Sequence, residues 1–169
     1  DKSAPGTSLA ATLFGRNKAK PSVNPKKGVH FDPTAPVLPP LVADTLAYLR
    51  SHGGAQLEGI FRVPGAAAHV RQLKQQYDRC QRPDLNRLVE VHDIAGLLKL
   101  FFAELPEPIF SFELYDAFKW AVSMKQFHER TYCIRKVLSR LPPGNRHILK
   151  ELFRFLREVH DNEPRSKMT

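Results

Sequence analysis

Asp93-Ile94-Ala95-Gly96-Leu97-Leu98-Lys99-Leu100-Phe101-Phe102-Ala103-Glu104 is the stretch that decides the fold. A run of this length without a strong breaker predicts a helix. Apolar side chains on nearly every face predict that the helix is central to the core. Asp93 reads as the N-cap of a helix over Ile94 to Glu104, because a short carboxylate there can accept from the free N–H groups of the first turn. Leu105-Pro106-Glu107-Pro108 stops it, since proline lacks a donor and pushes the preceding residue out of the helical region.

Helical spacing continues on both sides. Upstream, Leu41, Val42, Thr45, Leu46 and Leu49 recur on one face until His52-Gly53-Gly54. Ala66 to Arg79 follows, with Val70, Leu73 and Tyr77 aligned. Downstream, a shorter helix is expected from Phe112 to Ser123, carrying Leu114, Tyr115, Phe118 and Trp120, and another from Phe127 to Arg140. After Leu141-Pro142-Pro143-Gly144, Asn145 to His160 is expected to turn Ile148, Leu149, Leu152, Phe153, Leu156 and Val159 inward. Neither alternating strand pairs nor a long repeat is present. The fold class is all-α.

The chain has 169 residues, 42% hydrophobic and 25% charged, a composition suited to one folded domain. No apolar run reaches the ~18 residues of a transmembrane helix, and the start lacks the pattern of a secretory signal. Cys80 and Cys133 alone make neither a disulfide framework nor a zinc site, so a reducing, cytoplasmic setting is expected. The net charge of +9 would suit a nucleic-acid or membrane binder, but it is unevenly placed. Residues 1–30 hold six basic residues and one acid, and seven of the 14 prolines lie in the first 40. Residues 1–27 therefore read as a basic, proline-rich flank, and 28–169 as the folded domain. Ser8 to Phe14 could align Leu9, Leu13 and Phe14 ahead of Arg16, Lys18 and Lys20, for docking on an anionic membrane or as a solvated linker.

The helical part shows no stripe of cations with aromatic stacking positions, which argues against nucleic acid. No metal-spaced Cys/His cluster, phosphate cradle or Ser/His/Asp set points to a small-molecule enzyme or a metal site. The histidines, at 30, 52, 69, 92, 128, 147 and 160, are scattered and read as surface or core-satisfied residues.

One segment departs from the helical pattern: Gln56-Leu57-Glu58-Gly59-Ile60-Phe61-Arg62-Val63-Pro64-Gly65. Its glycines and proline prevent a helix. Ile60, Phe61 and Val63 would anchor the loop, leaving Arg62 between residues that favour burial. A planar, permanently charged guanidinium held at a fixed point suits a phosphate or a developing phosphoryl charge. A surface pairing with a carboxylate is the other reading. Lys99, the only charge inside its apolar run, either snorkels to solvent or projects into a functional groove.

These residues resemble the Rho GTPase-activating (RhoGAP) domain. Glu58-Gly-Ile-Phe-Arg-Val-Pro-Gly65 is similar to that family's arginine-finger loop. His92-x-x-Ala95-Gly-Leu-Leu-Lys99, followed by Glu104-Leu-Pro-Glu-Pro-Ile109, is similar to its second signature. Leu141-Pro with Asn145, Leu149, Leu152 and Leu156 resembles the helix that comes next. The resemblance runs from about Gly28 to the end and implies a RhoGAP-like helical bundle lacking its last helices.

The resemblance implies a partner as well as a fold. The partner is a GTP-loaded Rho/Rac/Cdc42-class small GTPase, whose hydrolysis is stimulated when Arg62 is inserted in trans. The chain is then not itself the enzyme. It needs no cofactor of its own, because GTP and Mg²⁺ belong to the partner. Glu58, Gly59, Lys99, Pro106 and Pro108 are placed by the same resemblance at the GTPase-binding surface.

Two departures favour an alternative, a non-catalytic or weakened GTPase-binding module. Ala103 stands where the family usually has an arginine, one helical turn after Lys99. Lys167-Met168-Thr169 resembles the start of a further helix whose asparagine, lying past residue 169, contacts the GTPase. A domain ending here would leave the inward faces of Asn145–His160 and Ile94–Glu104 partly uncovered, so self-association or a longer natural chain is expected.

Overall fold

The computed structural model describes residues 31–87 and 90–168. The flank 1–27, with Ser8–Phe14, lies outside them. Among the described residues the chain is helical without strands. The order is α1 (Pro40–Ser51), a single 3-10 turn (Gly54–Gln56), α2 (Ala67–Asp78), α3 (Val91–Glu104), α4 (Tyr115–Ser123), α5 (Phe127–Leu138), α6 (Pro143–Asp161) and the one-turn α7 (Glu163–Ser166). Among the described residues there are two compact units: a larger one from 31–109 with 142–168, and a smaller one from 110–141.

In the larger unit α3 packs on α1 and α2, and α6 packs on α1. The central position expected of α3 follows from its side chains: Ile94, Ala95, Leu97, Leu98 and Phe101 are all buried. Each large one contributes about 1.5–3 kcal/mol by leaving water. They meet Val42, Leu46 and Leu49 of α1, Val70 and Leu73 of α2, and Ile148, Phe155 and Val159 of α6. Prolines begin both α1 and α6, where the missing donor is harmless. Thr45 lies fully buried in α1, and its hydroxyl donates to the Leu41 carbonyl at 2.8 Å.

Several sequence expectations need correction. The core helix starts at Val91, two residues before Asp93, so Asp93 is not its N-cap. The helix expected from Phe112 starts at Tyr115. In α6 the fully buried aromatic is Phe155, while Phe153 and Leu156 are 49% and 36% exposed. Helical geometry places Phe155 a further turn along from Leu152 and Ile148, whereas Phe153 has turned away. Lys167 ends α7 in the left-handed region with φ 53°.

The smaller unit is a pair of packed helices, α4 and α5, with Leu114, Ala117, Ala121, Val137 and Leu141 buried. Phe110 and Phe118 meet edge to face at 5.0 Å. Tyr115 and Trp120 are exposed, and Lys119 lies over the Tyr115 ring. No helix among the described residues is long and apolar enough to cross a membrane.

Candidate functional site

The loop between the 3-10 turn and α2 is a tight turn around Gly59. Its carbonyl accepts from the N–H groups of both Arg62 and Val63 at 2.8 Å, and the Leu57 carbonyl accepts from Ile60 N–H at 3.2 Å. Gly59 has φ 69°, and a Cβ there would come within 2.8 Å of Val63 Cγ2, so only glycine fits. That Cβ would also lie 3.5 and 3.6 Å from Nη2 and Nε of Arg62, which places the guanidinium beside the glycine backbone. Arg62 is exposed and forms no ion pair with another described residue.

The backbone of this loop is held along its length. Ile60 is fully buried in the core. Phe61 is half-buried and meets Phe155 edge to face at 6.0 Å. Val63, expected as a third anchor, is instead 42% exposed. Phe61 also has φ 65°, a left-handed backbone that disfavours a bulky side chain and typically costs about 1–3 kcal/mol. Its carbonyl accepts from Lys99 Nζ at 2.8 Å, so α3 reaches directly to the residue before Arg62. Lys99 is exposed, but it does more than snorkel: its ammonium ties two parts of the candidate site together.

The far end of the loop is held by Asp93, which is 1% exposed. Its Oδ1 accepts from Ala66 N–H at 2.6 Å, and its Oδ2 lies 3.0 Å from His69 Nδ1. Asp93 thus caps the start of α2 from a neighbouring helix rather than capping its own. A Cβ on Gly65 would approach Asp93 Oδ1 to 2.5 Å, so that glycine permits the close passage. The near end is held by α7. Ser166 O accepts from Gly59 N–H at 2.7 Å, and Lys167 Nζ pairs with Glu58 Oε1 at 2.8 Å. The hydrogen bond and charge of Lys167, with a smaller contribution from Arg62, hold the Glu58 carboxyl below its usual range.

The predicted site residues are thus only partly brought together. Arg62, Glu58 and Gly59 share the loop, and Lys99 is bonded to it. Gly59 is buried with its N–H already bonded, so it bends the loop instead of offering a contact surface. Pro106 and Pro108 are exposed on the segment after α3. That segment is fixed by Leu105, which is buried, and by Asn145 Nδ2 donating to the Ile109 carbonyl at 2.8 Å. No described hydrogen bond joins the two prolines to the loop. Ala103 is exposed.

Sequence reasoning missed Asp93 and Ser166 as holders of the loop. An acidic residue at the head of an apolar helix was the available signal for Asp93. Nothing in the sequence linked residue 166 to residue 59. Among the remaining histidines, His92 has a buried Nδ1 without a described partner, contrary to a core-satisfied reading.

A different cluster surrounds Asp44. Its carboxylate accepts from Tyr77 Oη at 3.0 Å and pairs with Arg82, and burial followed by the Asp44 charge pushes the Tyr77 hydroxyl far above its ordinary range. Lys74 nearby is bound by Asp78 and Glu104. Burial opposes its charge, yet the two carboxylates outweigh that and hold the ammonium above its ordinary range.

Known proteins resemble the chain in both sequence and fold. Rho GTPase-activating protein gacY of Dictyostelium discoideum is 39% identical over 132 residues, covering 78% of this chain and 18% of that protein. Mouse Rho GTPase-activating protein 25 is 35% identical over 166 residues, covering 97% of this chain and 24% of that protein. The crystal structure of human Rho GTPase activating protein 15 superposes with a TM-score of 0.74 at 27% identity, covering 76% of this chain and 62% of that one. The chain spans between 7% and 24% of the length of such curated relatives. Residues 39–169 match the RhoGAP domain and the described residues are all-helical, so the chain belongs to that family.

Proposed function

We propose that this chain binds GTP-loaded Rho-family small GTPases and accelerates their GTP hydrolysis by inserting Arg62 in trans. One observation carries the reading: Arg62 has an exposed side chain, in no ion pair among the described residues, on a loop whose backbone is fixed at Gly59, Phe61 and Ala66. A guanidinium offered this way stabilises the charge that develops on the transferring phosphoryl oxygens. Because the loop is already formed, little reorganisation opposes the transition state. A finger of this kind is worth roughly 10³–10⁵ in turnover. The partner holds GTP, Mg²⁺ and the attacking water. Lys99, Glu58, Pro106 and Pro108 form the contact surface around the finger.

The test is single-turnover GTP hydrolysis by Rho-, Rac- and Cdc42-class GTPases with and without the chain. The activator reading fails when no GTPase is accelerated, or when Arg62→Ala leaves the acceleration unchanged. A second reading, a binding module without catalytic effect, is favoured by the exposed Ala103 where the family usually has an arginine. Binding of the GTP form without acceleration selects it. An Ala103→Arg variant that tightens binding would place that face at the interface.

A further inference from the structure

We propose that the turn Glu163–Lys167 is a positioning element for Arg62, acting through the Ser166 carbonyl on Gly59. The proposal rests on the activator reading above.

Gly59 is the hinge of the loop. Glycine has more backbone freedom than any other residue, so a finger loop hinged on one is loose unless both adjoining peptides are held. Arg62 and Val63 hold the Gly59 carbonyl, but both belong to the same loop and move with it. The Gly59 N–H is held from outside, by Ser166 O at 2.7 Å.

Ser166 is itself unable to drift. It is 0% exposed, and its Oγ donates to the Val159 carbonyl at 3.1 Å while accepting from Met168 N–H at 3.3 Å. Its own N–H donates to Asn162 O at 2.9 Å, and Lys167 N–H closes the turn on Glu163 O at 2.8 Å. The turn is thereby joined to α6, whose Phe155 packs under Phe61. Two side-chain contacts run alongside, Lys167 to Glu58 and Arg165 Nη1 to Gln56 Oε1 at 3.1 Å. Both are exposed and contribute little alone. The backbone bond is the part that sets where the finger starts.

Lys167 offers a clean way to move that carbonyl. Its φ of 53° is closed to proline, and a proline there also removes the bond to Glu163 O and drives Ser166 away from helical backbone. Glycine at 167 tolerates the same φ and removes only the ion pair.

The experiment compares Lys167→Pro, Lys167→Gly and wild type in single-turnover GTP hydrolysis, together with amide exchange at Gly59 and thermal melting. Lys167→Pro is expected to lower the saturating rate by about ten- to a hundredfold, as displacement of a positioned group does. The half-saturating concentration should change by less than about threefold. Gly59 amide exchange should rise while melting stays cooperative. Lys167→Gly should keep the rate within about threefold. Should Lys167→Pro not fold, Ser166→Ala replaces it, since it removes the Oγ bonds to Val159 and Met168 that hold in place the residue carrying the carbonyl.

An unchanged rate with a fast-exchanging Gly59 amide overturns the proposal. So does a rate loss with Gly59 protection intact, and so does a defect confined to half-saturation, which would make the turn a binding surface. A wild-type chain that accelerates nothing, with Arg62→Ala indistinguishable from it, instead removes the activator reading and this proposal with it.

Discussion

Arg62 and Arg82 both follow the end of a helical segment, yet their surroundings are opposite. Arg82 and Tyr77 are both bonded to the Asp44 carboxylate, so three side chains satisfy one another, although Cys80 just before Arg82 is left-handed with φ 57°. At residues 57–66 the backbone is bound from three directions and the arginine is left unpaired among the described residues. A guanidinium already neutralised by a carboxylate has little to offer a developing phosphoryl charge. What separates the proposed finger from a structural arginine is therefore where the hydrogen bonds go, to the backbone or to the side chain.

Substitutions can break that contrast. The largest effect is expected of Arg62→Ala, which should reduce stimulated GTP hydrolysis by about 10³-fold or more while leaving the melting temperature within a degree or two. Arg62→Lys should not restore it, since a point ammonium lacks the planar fork. A matched Arg82→Ala chain should stimulate hydrolysis normally, and a large activity loss there would erase the distinction.

Asp93→Ala comes next, because it strips a buried carboxylate from Ala66 N–H and His69. A loss of about 2–3 kcal/mol in denaturant unfolding is expected, with activity falling as the loop end loosens. Lys99→Met keeps the alkyl chain but frees the Phe61 carbonyl. Hydrolysis at saturation should drop by about tenfold with stability nearly unchanged, and an unaltered rate would mean the left-handed Phe61 holds itself.

The smallest effect concerns pH. The Tyr77 hydroxyl titrates above its unfolded value, so its stabilising contribution is complete below about pH 10 and lost as pH rises past that point. Urea unfolding between pH 9 and 11 should show this decline, and Tyr77→Phe should flatten it by up to one proton, about 1.4 kcal/mol per pH unit. Lys74, also raised, leaves part of the slope in place.

Much of this was legible in the chain. The helices came from spacing and breakers, because the apolar stripes of Pro40–Ser51 and Val91–Glu104 repeat where a helix needs them. Boundaries were less legible. Asp93 looked like a local cap because capping is usually local, but burial handed its carboxylate to another helix. Phe153 and Phe155 are both aromatic and two residues apart, and only the packing of α6 in the core, with Phe155 against Phe61, chose between them.

That the chain is helical, that a glycine- and proline-bent loop interrupts the helices, and that Arg62 sits in it can all be read from residues near one another in the chain. These follow from local rules, since periodicity and backbone freedom are properties of neighbouring residues. Tertiary structure decided that Lys99 holds Phe61, that Asp93 holds Ala66, and that a turn more than 100 residues away holds Gly59. Those contacts join groups far apart in the chain, and only packing of the core brings their donors and acceptors within bonding distance. The arginine was written in the sequence, whereas its freedom was settled by everything that binds the backbone around it.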